Sequence, residues 1–276
     1  MISYKKKIQR AHEDRAFFYK PWIGRLYDKG VRLINSERSM RVLVIGASRY
    51  CEYLAKHGKQ ACPHRDVCCF CHDFDRLKNI AGDCPLVNDS AARRNTHKDF
   101  RLDDINRASI LKAYYGQPPK AYKKFQEAME GILGEGAPQK VWLHLAFANY
   151  FQPVVWGERK DATRTPHVSD YQEAYEKSRH TIDEIIKALD PDLVLVWQSS
   201  EIRRAFDSLF PDAKLIGETT ISGMKSSEIP FRSYYLDVNG RRILLQTTPH
   251  PSANYDYRAF VEKASQEWIH LQDKNI

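Results

Sequence analysis

An α/β sandwich, with helices on both faces of a mainly parallel four-stranded central sheet, is the fold class that this sequence predicts. Four short apolar runs, Arg41–Gly46, Val141–Ala146, Leu193–Trp197 and Ile243–Gln246, have the continuous hydrophobicity of strands buried on both faces of a parallel sheet. Segments of helical period lie between them. The composition, 42% hydrophobic and 28% charged over 276 residues, is that of a globular chain with room for a substantial core. Disordered, collagen-like and coiled-coil classes are thereby excluded.

After a polar opening, Ile23, Leu26, Tyr27, Val31 and Ile34 recur at helical spacing and Asn35-Ser36 ends the pattern, so a helix is expected there. Strand one follows and closes on Gly46. Residues 51–103 are polar and cysteine-rich with weak periodicity, and a loop of that length inside a compact domain is functional or braced. Helix is expected within 104–133, where Ile105, Ile110, Leu111, Phe125, Met129 and Ile132 stand on either side of Gly116-Gln-Pro-Pro119. Ser169-Asp-Tyr-Gln172 is a capping-box signature opening a helix to about Leu189, with Pro191 beyond its end. Further helices are expected over about Ser200–Leu209 and Tyr255–Leu271. Asn239-Gly240 marks a hairpin turn within 233–247 that delivers the fourth strand. The division is a basic N-terminal arm and helix over 1–40 and a main domain over 41–276, with an insertion at about 51–103.

Lysine plus arginine exceed aspartate plus glutamate by 43 − 35 = 8. Residues 1–41 hold 11 basic and 4 acidic side chains, so +7 of that excess is concentrated there. Such charge, with Lys5, Lys6 and Lys7 in a row, suits a polyanionic partner whose counterions are released on contact, or else is a solvated arm. Six cysteines without an export signal read as reduced thiols or metal ligands. No run reaches the roughly 18 apolar residues that cross a bilayer, so the expectation is a cytoplasmic protein without membrane contact.

Ligands of an open parallel sheet bind beyond the carboxyl ends of its strands. Those ends are Gly46-Ala-Ser-Arg-Tyr-Cys51, Phe147-Ala-Asn-Tyr-Phe151, Gln198-Ser-Ser200 and Pro249-His-Pro-Ser252. The first has a single glycine and fits neither a dinucleotide fingerprint nor a P-loop, so no nucleotide cofactor is expected.

A strand ending in Gly with Tyr50 four residues on, a second ending near Asn149, and a last running through Leu245-Gln-Thr-Thr-Pro-His-Pro-Ser252 together resemble the uracil-DNA glycosylase superfamily over about residues 41–270. The resemblance implies a uracil-DNA glycosylase-like fold and DNA, single-stranded or duplex with a flipped base, as partner. His250 matches the family histidine that hydrogen-bonds the departing base, whose O2 gathers negative charge. Asn149 matches the asparagine that reads the base edge with one donor and one acceptor. Tyr50 falls at the aromatic that walls the pocket, and Phe147 or Phe151 is placed to stack on the base. Ser252 would touch phosphate, and Asn254 or Tyr255 would fill the vacated stack. Family members commonly carry Asp or Asn two residues after the Gly, or Glu one residue after it; this chain has Ser48 and Ala47. The water-positioning acid is therefore missing at its usual place, with Glu52, Asp99 and Asp161 as unranked substitutes.

Cys62, Cys68, Cys69 and Cys71 lie within ten residues, beside His64 and His72, with Cys51 before and Cys84 after. Cys68-x-x-Cys71 has zinc-knuckle spacing, and with Cys62 and Cys84 a structural zinc site is expected ahead of an iron–sulfur cluster or free thiols. Some glycosylase subfamilies hold a four-Cys cluster, but their first pair precedes strand one and this chain has none there.

The functional expectation is a DNA glycosylase that hydrolyses the N-glycosidic bond of a flipped uracil or modified pyrimidine and leaves an abasic site. A DNA-binding protein with an impaired site on the same fold is the alternative, ahead of an unrelated nucleotide or small-molecule enzyme.

Overall fold

The computed structural model describes residues 3–14, 16, 20–34, 36–46, 49–50, 110, 120–131, 141–150, 154–155, 172–198, 200–221, 229–251, 262, 265–266 and 268–270. They form a mixed α/β structure. Its centre is a seven-stranded mixed sheet of order β1-β6-β4-β8-β11-β10-β9. The strands are β1 (Trp22–Ile23), β4 (Val42–Gly46), β6 (Leu145–Asn149), β8 (Leu193–Gln198), β9 (Lys214–Ile221), β10 (Ile229–Val238) and β11 (Arg241–Pro249). The pairs β6·β4, β4·β8 and β8·β11 are parallel; β1·β6, β11·β10 and β10·β9 are antiparallel. Short ribbons pair β2 (Val31–Arg32) with β3 (Ser39–Met40) and β5 (Arg49–Tyr50) with β7 (Val154–Val155).

Side chains alternate across the sheet and both faces are covered. Leu43, Ile45, Val194, Val196 and Leu245 point to one face, where α3 (Gln172–Leu189) adds Ile182, Ile185, Ile186 and Leu189 and α4 (Ser200–Leu209) adds Ile202, Phe206 and Leu209. Val42, Val44, Leu145, Phe147, Leu193, Leu195 and Trp197 point to the other, where α2 (Lys120–Glu130) adds Phe125, Ala128 and Met129, and Trp268 joins them. Residues 262, 265–266 and 268–270 are helical, within the C-terminal helix that the sequence predicts. No helix among the described residues is long and apolar enough to cross a membrane.

Several expectations are corrected. The sheet has seven strands rather than four. The stripe Ile23–Ile34 is not a helix: it contains β1, a 3-10 turn at Tyr27–Lys29 and β2. Two glycines and a sheet edge defeat the period. Gly24 N–H donates to Leu145 O at 2.9 Å, and a Cβ at Gly24 would lie 2.2 Å from Leu143 O. Gly30 takes φ +64°, which ends the turn. Ile34, a member of the stripe, is 47% exposed. The helix lies earlier, as α1 (Tyr4–Glu13), where Ser3 accepts from Lys6 N–H at its start and Ile8 is its buried apolar anchor. The run at 141–146 also divides. Val141–Leu143 is a 3-10 turn and β6 begins at Leu145, which lets the strand reach Asn149.

The hairpin expectation holds. Asn239 (φ 52°) and Gly240 (φ 76°) form the two-residue turn between β10 and β11, both in the left-handed region that such turns require. β9 then adds to β10 through a register shift at Ser233/Tyr234, an irregularity that bends the outer edge.

An ionic knot ties the amino ends of β4, β8 and β11. The Arg41 backbone N–H donates to Asp192 Oδ2 (2.7 Å) and its guanidinium to both Asp192 oxygens (3.1 Å each). Arg241 donates to Asp192 Oδ1 (2.6 Å) and to Pro191 O (2.6 Å). Arg41 also donates to the Tyr4 hydroxyl of α1. Burial opposes ionisation of Asp192, but the bonds from Arg41 and Arg241 outweigh it and hold its carboxyl below the ordinary 3.8. A carboxyl depressed on folding contributes stability that is present above its unfolded value and lost as pH falls through the folded one. Asp192→Asn is therefore expected to cost ~2 kcal/mol at pH 7, below the range for a fully buried pair broken on one side, and to flatten the acid limb. Urea denaturation at pH 7 and below pH 4 checks both; an unchanged acid limb would remove Asp192 from the account.

Candidate functional site

The parallel strands place their carboxyl ends at one edge. In chain order they are β4, β6, β8, β11; in space β6, β4, β8, β11. The connection leaving β4 therefore runs to one side and those leaving β6 and β8 return to the other. In open α/β sheets such a reversal marks the place where ligands are held.

Gly46 is register-paired with Asn149, and Ile45 with Val196, so Asn149, Gly46 and Trp197 stand level on three neighbouring strands. All three lie on the face that α2 covers. Because Gly46 carries no side chain, its neighbours close over it. A Cβ there would sit 2.7 Å from Asn149 Oδ1 and 2.9 Å from Phe147 Cζ. Phe147 and Trp197, from strands on either side of β4, touch at a ring-centroid separation of 5.5 Å. The site glycine thus works by absence: it lets an amide and two rings converge above the central strand.

Trp197 is the hub of the aromatic group. Its ring meets Tyr122 at 5.5 Å and Phe125 at 5.2 Å, and His250 edge-to-face at 5.8 Å. Trp142 closes the group against Phe125, Tyr122 and Phe147. Phe125, Trp142 and Phe147 are wholly buried and Trp197 is 2% exposed, whereas Tyr122 and His250 are half-buried. Of the rings that meet Trp197, Tyr122 and His250 are thus the half-buried ones. The burial of His250 lowers its pKa below the ordinary 6.5, so the imidazole is neutral at physiological pH. A neutral imidazole donates from one ring nitrogen only.

The structure brings together Asn149 with Phe147, and His250 with Trp197, at one edge of the sheet. Tyr50 lies on the two-residue strand β5 with its backbone paired to Val155. Lys5, Lys6 and Lys7 are exposed on α1, whose Tyr4 packs on Tyr27 (5.5 Å) and bonds Arg41 at the amino edge, opposite the candidate site. Ser48, Phe151, Ser252, Asn254, Tyr255, the water-positioning candidates Glu52, Asp99 and Asp161, and Cys62, Cys68, Cys71 and Cys84 lie outside the described residues. No group of three or more His, Cys, Asp and Glu that could hold a metal occurs among the described residues.

Tyr122 and Trp197 are additions that the sequence reading missed. Trp197 stood in plain view, one residue before a strand end, but in an apolar run it reads as core. Nothing local marks Tyr122, which reaches the site only because α2 folds back over β6 and β8. No protein-family model matches the sequence, and no curated protein matches it.

Proposed function

We propose that the chain is a DNA glycosylase of the uracil-DNA glycosylase type, a cytoplasmic three-layer α/β/α protein that hydrolyses the N-glycosidic bond of a flipped uracil or modified pyrimidine. The observation that carries this reading is the level arrangement of Asn149, Gly46 and Trp197 on neighbouring parallel strands, with His250 against Trp197. The Asn149 amide offers the donor and acceptor that a base edge requires. His250, neutral and half-buried, donates to the O2 of the leaving base. Water oxygen bonds to C1′ as the C1′–N bond breaks, the base departs with the bonding pair, and the water proton is released. The group that positions this water is one of Glu52, Asp99 and Asp161, since Ala47 and Ser48 supply no carboxylate. A structural zinc on Cys62, Cys68, Cys71 and Cys84 belongs to the same proposal as a brace for residues 51–103 and supplies no step.

Ala47 and Ser48 are also the specific observation behind a second reading, a DNA-binding protein with an impaired site. Oligonucleotides bearing uracil and several modified pyrimidines, incubated with the full chain and then cleaved with alkali, separate the two. Strand cleavage at one modified base is expected. DNA binding without any abasic site favours the second reading, and the absence of both removes the two together.

A further inference from the structure

We propose that the indole Nε1–H of Trp197 is a second donor to O2 of the departing pyrimidine, so that Trp197 and His250 together hold the oxygen on which charge develops. This deepens the reading above and rests on it, in that a pyrimidine is taken to lie between Asn149 and His250.

An indole nitrogen is a donor only, and when buried it ordinarily finds a partner. Trp22 obeys that rule, donating from Nε1 to Trp142 O at 2.9 Å. Trp197 does not: its Nε1 is buried and has no hydrogen-bond partner among the described residues. Leaving a buried donor unpaired is costly, and its persistence asks for a partner that arrives later. Trp142 and Trp268 are unpartnered at Nε1 as well, but Trp142 precedes β6 and Trp268 lies in the C-terminal helical stretch. Of the three, Trp197 is the one at a strand tip with its ring packed on His250.

Strand order supplies the position. Along β6-β4-β8-β11 the tips carry Asn149, Gly46 and Trp197, with His250 directly after the last strand. Trp197 is register-paired with Thr248 on β11, and His250 lies two residues on, the interval that returns a side chain to the same face. Two N–H groups that share one oxygen at the usual ~2.9 Å stand no more than ~5.8 Å apart. The Trp197 and His250 ring centroids are 5.8 Å apart, with the ring planes at 77°, so one oxygen between the rings is within reach of both. A second donor also meets a need. His250, neutral at physiological pH, donates from one nitrogen only, whereas sites that stabilise a developing oxyanion converge several donors on it. Phe125 (5.2 Å) and Phe147 (5.5 Å) hold the indole in place, so its N–H costs no reorganisation during the reaction. Tyr122 and His250, the half-buried rings against Trp197, are the ones that give way to an entering base.

The test uses the full chain labelled with 15N, whose five tryptophans each give an indole N–H resonance, with that of Trp197 assigned by its loss in Trp197→Phe. Two oligonucleotides are added in turn, one carrying 2′-fluoro-2′-deoxyuridine, which resists cleavage, and one carrying a difluorobenzene nucleotide of the same shape without carbonyl oxygens. The Trp197 proton is expected to move downfield, saturably, with the first and not with the second. Trp197→Phe keeps an aromatic ring on His250; confirmed as folded by thermal melting, it is expected to excise about 10²-fold more slowly at saturating substrate, the scale of one lost oxyanion donor. A Trp197 resonance that ignores the uracil oligonucleotide, or answers both alike, overturns the proposal, as does a folded Trp197→Phe variant that excises as fast as wild type. Excision with an unmoved Trp197 resonance leaves the glycosylase reading standing without this donor. The selective shift without excision supports the donor and favours the impaired-site reading, and the absence of both binding and excision removes donor and glycosylase together.

Discussion

If the proposed glycosylase reading holds, His250→Ala is expected to lower base excision by about two to three orders of magnitude while leaving DNA affinity nearly intact, the scale of removing one donor aimed at a developing anion. The geometry argues for a loss concentrated in the chemical step. His250 follows the end of β11, its ring set edge-to-face on Trp197, a residue itself held by Phe125, Phe147 and Tyr122. Such a ring is preorganised before substrate arrives. Single-turnover kinetics with a saturating modified oligonucleotide measure the effect, and a variant that cleaves as fast as wild type removes His250 from the mechanism. A pH dependence accompanies it. Because burial lowers the pKa of His250, the unfolded chain binds this proton more readily than the folded one. Stability therefore falls as pH drops from the ordinary 6.5 towards the lowered folded value, and His250→Ala should abolish that part of the slope.

Gly46→Val is expected to destabilise the fold by about 1–3 kcal/mol and to suppress excision. The added Cβ alone would fall 2.7 Å from Asn149 Oδ1 and 2.9 Å from Phe147 Cζ. The amide can rotate aside, and on the proposed reading it would then leave the base edge unread. The Phe147 ring has nowhere to go, since Trp142, Tyr122 and Trp197 surround it. Gly217→Ala provides the contrast, because a Cβ there meets nothing within 4 Å. Thermal melts of both variants decide the matter: a Gly46→Val protein as stable as Gly217→Ala would show that the rings above β4 have room to move.

Strands buried on both faces were legible because burial demands an unbroken apolar run, and Val42–Gly46, Leu193–Gln198 and Arg241–Pro249 overlap the expected runs. α4 was legible from its period and from the Pro211 beyond it, and the hairpin from Asn239-Gly240, whose left-handed backbone few other pairs adopt. Edge elements were not. β1 and β9 owe their conformation to hydrogen bonds from β6 and β10, partners more than a hundred residues away in the first case, and no local pattern encodes such pairing. The stripe from Ile23 to Ile34 shows the converse error, a helical period that a sheet edge and two glycines overrode. α1 escaped notice because its buried side includes His12 beside Ile8.

For the candidate site, the sequence by itself determined that Gly46 closes the first strand and that Asn149 and His250 lie just beyond the apolar runs at 141–146 and 243–246, because a chain leaving a buried sheet must become polar or turn. Only the tertiary structure decided which of them meet. The spatial order β6-β4-β8 brings Asn149 and Trp197 to either side of Gly46, and α2 folds Tyr122 to that same edge. It also sends α1, with Lys5, Lys6 and Lys7, to the opposite one. Residue type is local chemistry and can be read along the chain; proximity depends on strand order and helix direction, which are set by how the whole core packs.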